Sequence, residues 1–195
     1  MSTMAKGTIA KAGHDHIRLR FGEDVWERAL RSLSDDERAV VLNVSKSTQY
    51  PIAIDGKIFA FVCRDRFAGD ARRMGEAMRE MGRAQADDML DGVFSIFARF
   101  VSPSQAFARA GSIISSSYTG VTYETVPDPS GKGGVLTMRG FADLTYGAAS
   151  ISGWIERAIT RFGAQRARVT ERHYESGVVA SDEFVFDLTH DLTWD

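Results

Sequence analysis

Cysteine is almost absent from this chain, because Cys63 is the single cysteine among 195 residues. One thiol cannot form an intramolecular disulfide, and it cannot build a zinc or iron–sulfur site from several cysteines. The N-terminal residues lack the apolar run of a secretion signal. The chain also lacks a stretch near the roughly 18 uninterrupted apolar residues of a membrane span. We therefore expect a cytoplasmic protein that does not enter a membrane.

An excess of charge of one sign is also missing. Lysine and arginine number 24 against 26 aspartates and glutamates, which leaves a net charge of −2. This balance provides no general attraction to nucleic acid or to an anionic membrane surface, so we expect neither as a partner. Hydrophobic residues make up 44% and charged residues 26%, as in ordinary globular proteins. The length predicts a single domain over residues 1–195.

The first part of the chain, residues 1–119, has mainly helical periodicity. Apolar residues recur at spacings of three and four, and Ser34 and Ser102 are placed as N-caps. The helices predicted here are Gly22–Leu33, Arg38–Leu42, one long helix or a pair over Gly69–Phe100, and a helix from Ser102-Pro103 toward Tyr118. Two interpretations fit Ile52–Cys63: a turn at Ile54–Lys57, or a helix that bends there.

The second part, residues 120–195, predicts strand, strand, helix, strand, strand. Turn-forming residues separate the strands, and a stripe of apolar residues marks the helix. The predicted elements are strands Val121–Val126 and Val135–Gly140, helix Gly147–Phe162, and a hairpin of Gln165–Tyr174 with Asp182–Thr189 around Glu175–Gly177. The predicted fold class is α+β, with the helical N-terminal part packed on an antiparallel sheet of two β-hairpins that flank a helix.

Alternation in the last hairpin predicts which side chains face inward. Ala167 and Val169 share one face of its first strand, opposite Arg166, Arg168 and Arg172. In its second strand, Phe184, Phe186 and Leu188 share a face opposite Glu183, Val185 and Asp187. We therefore expect an aromatic face against the Gly147–Phe162 helix and a charged face in water.

Several short motifs, spread from about Gly7 to Leu188, carry a resemblance to known domains. They are Phe21-Gly22-Glu23, Tyr50-Pro51, Gly82-Arg83, Ser152-Gly153-Trp154 and the Arg172–Gly177 turn. With this order of elements, the chain resembles the superfamily of heme nitric-oxide-binding and 4-vinyl reductase domains. It is most similar to an uncharacterised paralogous family known mainly from myxobacteria. The resemblance implies a shared fold, and fold alone does not determine function.

The cofactor-binding residues of that superfamily do not carry over to this sequence. Heme-binding members place a proximal histidine on the helix before the first hairpin, and here Ala106–Ile114 contains none. They hold the heme propionates with a Tyr-x-Ser-x-Arg motif on the hairpin's second strand, which here reads Thr137-Met138-Arg139. Some 4-vinyl reductase-type domains have paired cysteines in the last hairpin, near Tyr174 and Ala180 of this chain. We therefore expect neither heme nor a metal cofactor.

The resemblance implies that an apolar ligand can lie between the helical part and the sheet. Methionine and aromatic side chains suit such a pocket, because ligand pockets are mostly apolar and methionine adapts to irregular shapes. The alternative is that the same side chains fill a core. The candidate pocket residues are Met78, Met81, Met89, Phe94, Phe97, Phe107 and Tyr118.

No residue pattern predicts a catalytic site. His14-Asp15-His16 has the spacing of two metal ligands on an extended segment, but a metal site needs a third ligand, which His173 or His190 could supply only if the last hairpin comes close. We interpret the segment as a surface loop. Cys63 is expected to be buried beside Phe59, Phe61 and Val62 and therefore inert. Our hypothesis is a non-enzymatic sensory or interaction module, and self-association as a homodimer is compatible with it, as in related ligand-binding domains. The alternatives are an enzyme acting on a hydrophobic small molecule and a scaffold subunit of a protein assembly.

Overall fold

The computed structural model describes residues 3–90, 101–141, 146–172, 174–175, 178–179 and 183–191. Helices and antiparallel strands are combined in these residues, which confirms the predicted α+β class. The helices are α1 (Gly7–Phe21), α2 (Glu23–Arg31), α3 (Asp35–Leu42), α4 (Ile52–Phe67), α5 (Ala71–Leu90), α6 (Pro103–Ser115) and α7 (Gly147–Arg161). The strands are β1 (Met4–Lys6), β2 (Gln49–Pro51), β3 (Tyr118–Thr119), β4 (Thr122–Pro127), β5 (Gly133–Arg139), β6 (Arg166–Arg172), β7 (Tyr174–Glu175), β8 (Val178–Val179) and β9 (Glu183–Asp191).

Helix α1 corrects the interpretation of His14-Asp15-His16 as a surface loop. These residues are helical, and the buried face of α1 is formed by Gly7, Ala10, Gly13, His14 and Ile17 at spacings of three and four. Glycine and histidine supply three of these five residues, so the sequence contains no apolar stripe that would reveal the helix.

Helix α4 resolves the two interpretations of residues 52–63. It continues without a turn through Asp55 and Gly56, both of which are buried. The next predicted helix, Gly69–Phe100, is present as α5 up to Leu90, and its remainder lies outside the described residues. Helix α6 begins at Pro103 with a capping box, in which the Ser102 hydroxyl accepts from the Gln105 backbone N–H.

The two predicted hairpins belong to one antiparallel sheet with strand order β4–β5–β9–β6. They join because β5 pairs with β9, which places Leu136 opposite Phe186 and Met138 opposite Phe184. A second sheet, with order β2–β1–β3, connects the beginning of the chain to residues 49–51 and 118–119. Its strands are two or three residues long, too short to show period-two alternation in sequence.

The predicted inward face of the last hairpin is confirmed, whereas Val185, predicted on the face in water, is buried at 8% exposure. Phe184, Phe186 and Leu188 are each at most 2% exposed. On the opposite face, Arg172 forms an exposed ion pair with Asp187 through Nη2 and Oδ1 at 2.8 Å. The inward face packs with side chains of both parts of the chain, in one continuous core cluster.

Helices α5 and α7 approach each other at two glycines. A Cβ added to Gly82 would lie 1.9 Å from the backbone oxygen of Ser150, and one added to Gly153 would lie 2.0 Å from the backbone oxygen of Arg79. Only glycine allows backbones this close. This contact packs the helical part, residues 1–119, against the part that contains the four-stranded sheet, residues 120–195 (the sheet-bearing part). No helix in the described ranges is long and apolar enough to span a membrane.

Candidate functional site

A cavity with a volume of about 30 Å³ lies where the two parts of the chain meet. Helices α1, α4 and α5 form one side of it, and α7 forms the other. Ile52 and Asp55 line it from α4, Gln85 from α5, and Ser150 from α7. Gln85 and Ser150 are half-buried, so solvent approaches the cavity from their side.

A buried histidine–carboxylate pair lies beside this cavity. His14 Nε2 is 2.9 Å from Asp55 Oδ1, and the two residues are 5% and 7% exposed. The His14 ring packs against Trp26 at 4.9 Å and meets the Tyr50 ring edge-on at 5.4 Å between centroids. Helix α1 therefore supplies the imidazole and α4 the carboxylate, while only the carboxylate residue lines the cavity.

Two tyrosines lie within the electrostatic influence of Asp55. Burial, followed by the negative charge of Asp55, raises the pKa of Tyr50 far above its ordinary value. The same two causes, in the same order, raise the pKa of Tyr118, which lines the cavity. Both phenols therefore remain neutral at physiological pH. The Tyr50 hydroxyl forms no close hydrogen bond within the described part of the chain.

The predicted pocket residues fall in different places. Met81 and Tyr118 line the cavity. Met78 and Phe107 are buried in the core away from its wall, at 2% and 1% exposure. Met89 is half-buried on α5, and both Phe94 and Phe97 lie outside the described residues.

Sequence reasoning missed His14 and Asp55 as partners. Asp55 stands among Ile52, Ile54 and Ile58, in a stretch whose one other charged residue is Lys57. A lone carboxylate in such a stretch needs a polar partner when it is buried, and this was the available signal. The partner lies 41 positions earlier, in a helix that periodicity does not reveal.

A polar contact joins the two parts of the chain at Cys63. The Tyr146 hydroxyl donates to Cys63 Sγ at 3.0 Å, and the cysteine is 2% exposed, which confirms its expected burial. Burial, with the hydrogen bond to Cys63 as the second cause, raises the pKa of Tyr146 to about 12. Tyr146 has a left-handed backbone with φ of 63° immediately before α7, which is unusual for a residue with a side chain.

An ion-pair network crosses from α5 to α7 and β6. Arg79 binds Glu156 Oε1 at 2.7 Å and Glu171 Oε1 at 2.6 Å, and Arg83 binds Glu156 Oε2 at 2.7 Å. Glu156 also accepts from the Val169 backbone N–H at 3.0 Å. Glu171 is therefore paired and half-buried, rather than a solvated charge on the sheet surface.

No group of three or more histidine, cysteine, aspartate or glutamate side chains in the described residues is arranged to hold a metal ion. The His14–Asp55 pair supplies two such groups, whereas a protein zinc site uses three or four ligands. The described donors therefore do not form a metal centre.

Comparison by sequence finds no matching protein-family model and no matching curated protein. Comparison by structure finds heme nitric-oxide-binding (H-NOX) proteins over nearly the whole chain. The Fe(II) unliganded H-NOX protein from K. algicida has a TM-score of 0.73 at 10% identity, covering 97% of this chain and 98% of that one. The S. oneidensis H-NOX protein in its Fe(II)NO state has a TM-score of 0.67 at 12% identity, covering 95% and 99%. A point mutant of the T. tengcongensis H-NOX protein has a TM-score of 0.66 at 16% identity, covering 97% and 100%.

These similarities establish that the chain has the H-NOX fold, and this fold implies a heme. The described residues of α6 and of the cavity do not fit one. Helix α6, which precedes the first hairpin, buries Ala106, Phe107, Ala110 and Ile114, none of which can bind iron. The cavity of about 30 Å³ is far below the roughly 300 Å³ at which ligand pockets begin.

Aromatic side chains of this chain fill the space above the sheet instead. Tyr118 meets Phe141 at 5.0 Å between ring centroids, Phe141 stacks on Phe184 at 5.6 Å, and Phe184 meets Phe186 at 6.2 Å. Such contacts are typical of a packed aromatic core.

Proposed function

We propose that this chain is a heme-free sensory or interaction module that holds a small ligand between its helical part and its sheet-bearing part. The observation that carries the proposal is the cavity walled by α1, α4 and α5 on one side and by α7 on the other. A ligand in this position contacts both parts of the chain at once. Its binding therefore changes the relative stability of their contacts, which is the physical basis of a sensor.

The fold supports a sensory role, because H-NOX domains are a family of sensory domains. The motifs around Gly82 and Gly153 support our further proposal that the chain belongs to the myxobacterial paralogous family it resembles. Both glycines lie at the α5–α7 contact, where a side chain would collide with backbone. Ser150, whose backbone Gly82 approaches, is one of the residues that line the cavity.

An enzymatic function is the weaker alternative. The His14–Asp55 pair resembles an acid–base couple, but the cavity beside it has room for only two or three water-sized groups. A hydrophobic substrate needs a pocket about ten times larger. Self-association as a homodimer remains part of the proposal, and light scattering coupled to size-exclusion chromatography measures it.

The test of the heme-free part uses the full chain purified with and without added hemin. We expect no Soret band in either sample and no stoichiometric binding on titration. Phe107→His serves as a comparison, because it places an imidazole on the buried face of α6. A Soret band that saturates at one heme per wild-type chain contradicts the proposal.

The test of the ligand part is native mass spectrometry of gently desalted protein, followed by a thermal-shift screen of small molecules. We expect molecules of a few heavy atoms to raise the melting temperature, and larger ones to have no effect. The comparison variant is Gly13→Leu, because Gly13 lines the cavity and a side chain there extends into it. If no molecule raises the melting temperature of the wild type by more than it raises that of the Gly13→Leu variant, the cavity is not a ligand site.

A further inference from the structure

We infer that the outer edge of strand β4 is the surface on which a second copy of this chain docks, strand against strand, through Tyr123 and Thr125. The inference deepens the homodimer part of the proposed function, because it names the surface that the two copies share. It follows from a difference between the two outermost strands of the four-stranded sheet, β4 and β6. The edge of β6 is covered by side chains of the helices, and the edge of β4 is exposed.

The edge of β6 is covered at its centre by two side chains. The Val169 N–H donates to Glu156 Oε1 at 3.0 Å, and the Val169 carbonyl oxygen accepts from Arg79 Nη1 at 3.3 Å. A carboxylate and a guanidinium thus take the positions that the carbonyl and N–H groups of a further strand would occupy. Covering an edge in this way prevents its pairing with another chain.

The hydrogen-bond pattern of β4 shows which of its backbone groups point outward. The Asp128 N–H donates to the Gly133 carbonyl oxygen at 2.9 Å, in the same register as the pairs of β4 with β5. In an antiparallel pair, the backbone groups of alternate residues point toward the partner strand and away from it. The backbone groups of Thr122, Glu124 and Val126 therefore point toward β5. Those of the residues between them point to the outer edge.

The outer edge of β4 presents the backbone groups of Tyr123 and Thr125. No other strand of the described chain pairs with β4 on this side. Pro127 faces the same way, and its missing N–H is compatible with an edge position. Apolar side chains accompany this edge, because Tyr123 and Val126 are 42% and 54% exposed. An exposed strand edge with apolar side chains is a site at which another chain can pair.

A second copy of β4 satisfies this edge through a two-fold axis at Tyr123. Antiparallel pairing about this axis places Tyr123 opposite its own copy, and Val121 opposite Thr125 of the second copy. Each of these residues then exchanges N–H and carbonyl hydrogen bonds with its counterpart, and the contact is the same on both copies. With the axis at Thr125 instead, Tyr123 would face Pro127, which has no N–H to donate.

Charge selects the same register. With the axis at Tyr123, Glu124 lies opposite Thr122 of the second copy, and Arg139 is the neighbour of Thr122 on β5. Strands are about 4.8 Å apart, so the α carbons of Glu124 and of Arg139 in the second copy are about 10 Å apart, a gap that two long side chains bridge. With the axis at Glu124 instead, the two carboxylates would lie opposite each other, which is destabilising. The edge is therefore complementary in charge to its own copy.

The first experiment measures the dissociation constant of the dimer by sedimentation velocity of the full chain over a range of concentrations. We expect the wild type to dimerise reversibly. Glu124→Arg places like charges together at two symmetric contacts with Arg139, and should raise the Kd about tenfold. Arg168→Glu is the matched control, because it reverses the charge of an exposed residue on the covered strand β6. This variant should leave the Kd unchanged.

The second experiment tests the register with a disulfide between copies. In the proposed register, residues 122 and 124 of different copies form a non-hydrogen-bonded pair with α carbons about 4.5 Å apart, within the range that a disulfide spans. Thr122→Cys combined with Glu124→Cys should therefore give a covalent dimer on mild oxidation, visible in non-reducing electrophoresis. Each single substitution should give none. The native Cys63 is buried and does not compete.

The inference is overturned if Glu124→Arg and Arg168→Glu change the Kd alike, or if the double-cysteine variant forms no covalent dimer. If the wild type dimerises in either of these cases, the homodimer part of the proposed function stands and its interface lies elsewhere. A monomeric wild type contradicts both, including the case in which the edge of β4 binds an extended peptide of another protein. The ligand part of the proposed function is tested separately, by the thermal-shift comparison with Gly13→Leu.

Discussion

Alanine substitutions at Gly82 and Gly13 are expected to change stability in opposite directions, although both replace a helical glycine by the best helix former. In the middle of a helix, alanine is favoured over glycine by about 1 kcal/mol. The difference between the two sites is the space available to the new methyl group. At Gly13 the Cβ meets one atom, at 3.8 Å, so the helix preference determines the result. Gly13→Ala should therefore stabilise the protein by about 0.5–1 kcal/mol.

At Gly82 the same methyl group collides with the backbone of α7. The added Cβ lies 1.9 Å from the Ser150 carbonyl oxygen and 2.9 Å from the Trp154 nitrogen. These are backbone atoms, so α5 and α7 must separate to relieve the clash. Overpacking costs about 1–3 kcal/mol, and a backbone collision belongs at the upper end. After subtracting the helix preference, we expect Gly82→Ala to be destabilised by about 2 kcal/mol.

The two variants should therefore differ by about 3 kcal/mol, which in a chain of this size separates their melting temperatures by roughly 6–12 °C. Urea unfolding followed by circular dichroism measures the free energies, and equal m-values show that the comparison concerns the folded state. If Gly82→Ala is as stable as Gly13→Ala, the close contact of α5 and α7 does not exist, and the cavity does not have the wall described above.

Three further outcomes are expected. Glu156→Ala removes the acceptor of Arg83 and of the buried Val169 N–H, and one of the two carboxylates that bind Arg79, so it should lower the free energy of unfolding by about 3 kcal/mol in urea titrations; Glu156→Gln should cost less because it keeps an acceptor. The pKa of Tyr146 is raised in the folded state, so its stabilisation is complete below pH 10 and lost as the pH rises to about 12. In thermal melts over this pH range, the melting temperature of Tyr146→Phe should therefore fall less with rising pH than that of the wild type. If both fall equally, Tyr146 is not the group responsible. Phe186→Ala should destabilise by about 3–5 kcal/mol, whereas Arg172→Ala on the opposite sheet face should change the unfolding midpoint little.

Hydrophobic periodicity predicted those helices and strands that bury one face and expose the other to solvent. The alternation of Phe184, Phe186 and Leu188 with charged neighbours identified the inward face of the last hairpin correctly. The apolar stripe of Gly147–Phe162 located α7 to within one residue. In both cases hydrophobic contrast between the two faces is large, and this contrast is what sequence reasoning detects.

Features that depend on partners distant in sequence could not be predicted in the same way. The pairing of β5 with β9 joins strands separated by a helix and three other strands, and no local pattern encodes it. Helix α1 buries a glycine and a histidine because Gln85 and Asp55 lie opposite them, and these neighbours belong to other helices. The candidate site is built from such residues. Of the seven residues predicted to line a pocket, the cavity wall includes Met81 and Tyr118.

The strand order β4–β5–β9–β6 has a consequence for the way the protein is synthesised. Strand β9 is the last strand of the described chain, yet it lies between β5 and β6 and pairs with both. Until residues 183–191 have left the ribosome, β5 and β6 each present an unpaired edge, and the aromatic core lacks Phe184 and Phe186. Unpaired edges of this kind promote association between chains. A nascent chain therefore cannot close its sheet gradually, and folding of the sheet-bearing part is delayed until its central strand arrives.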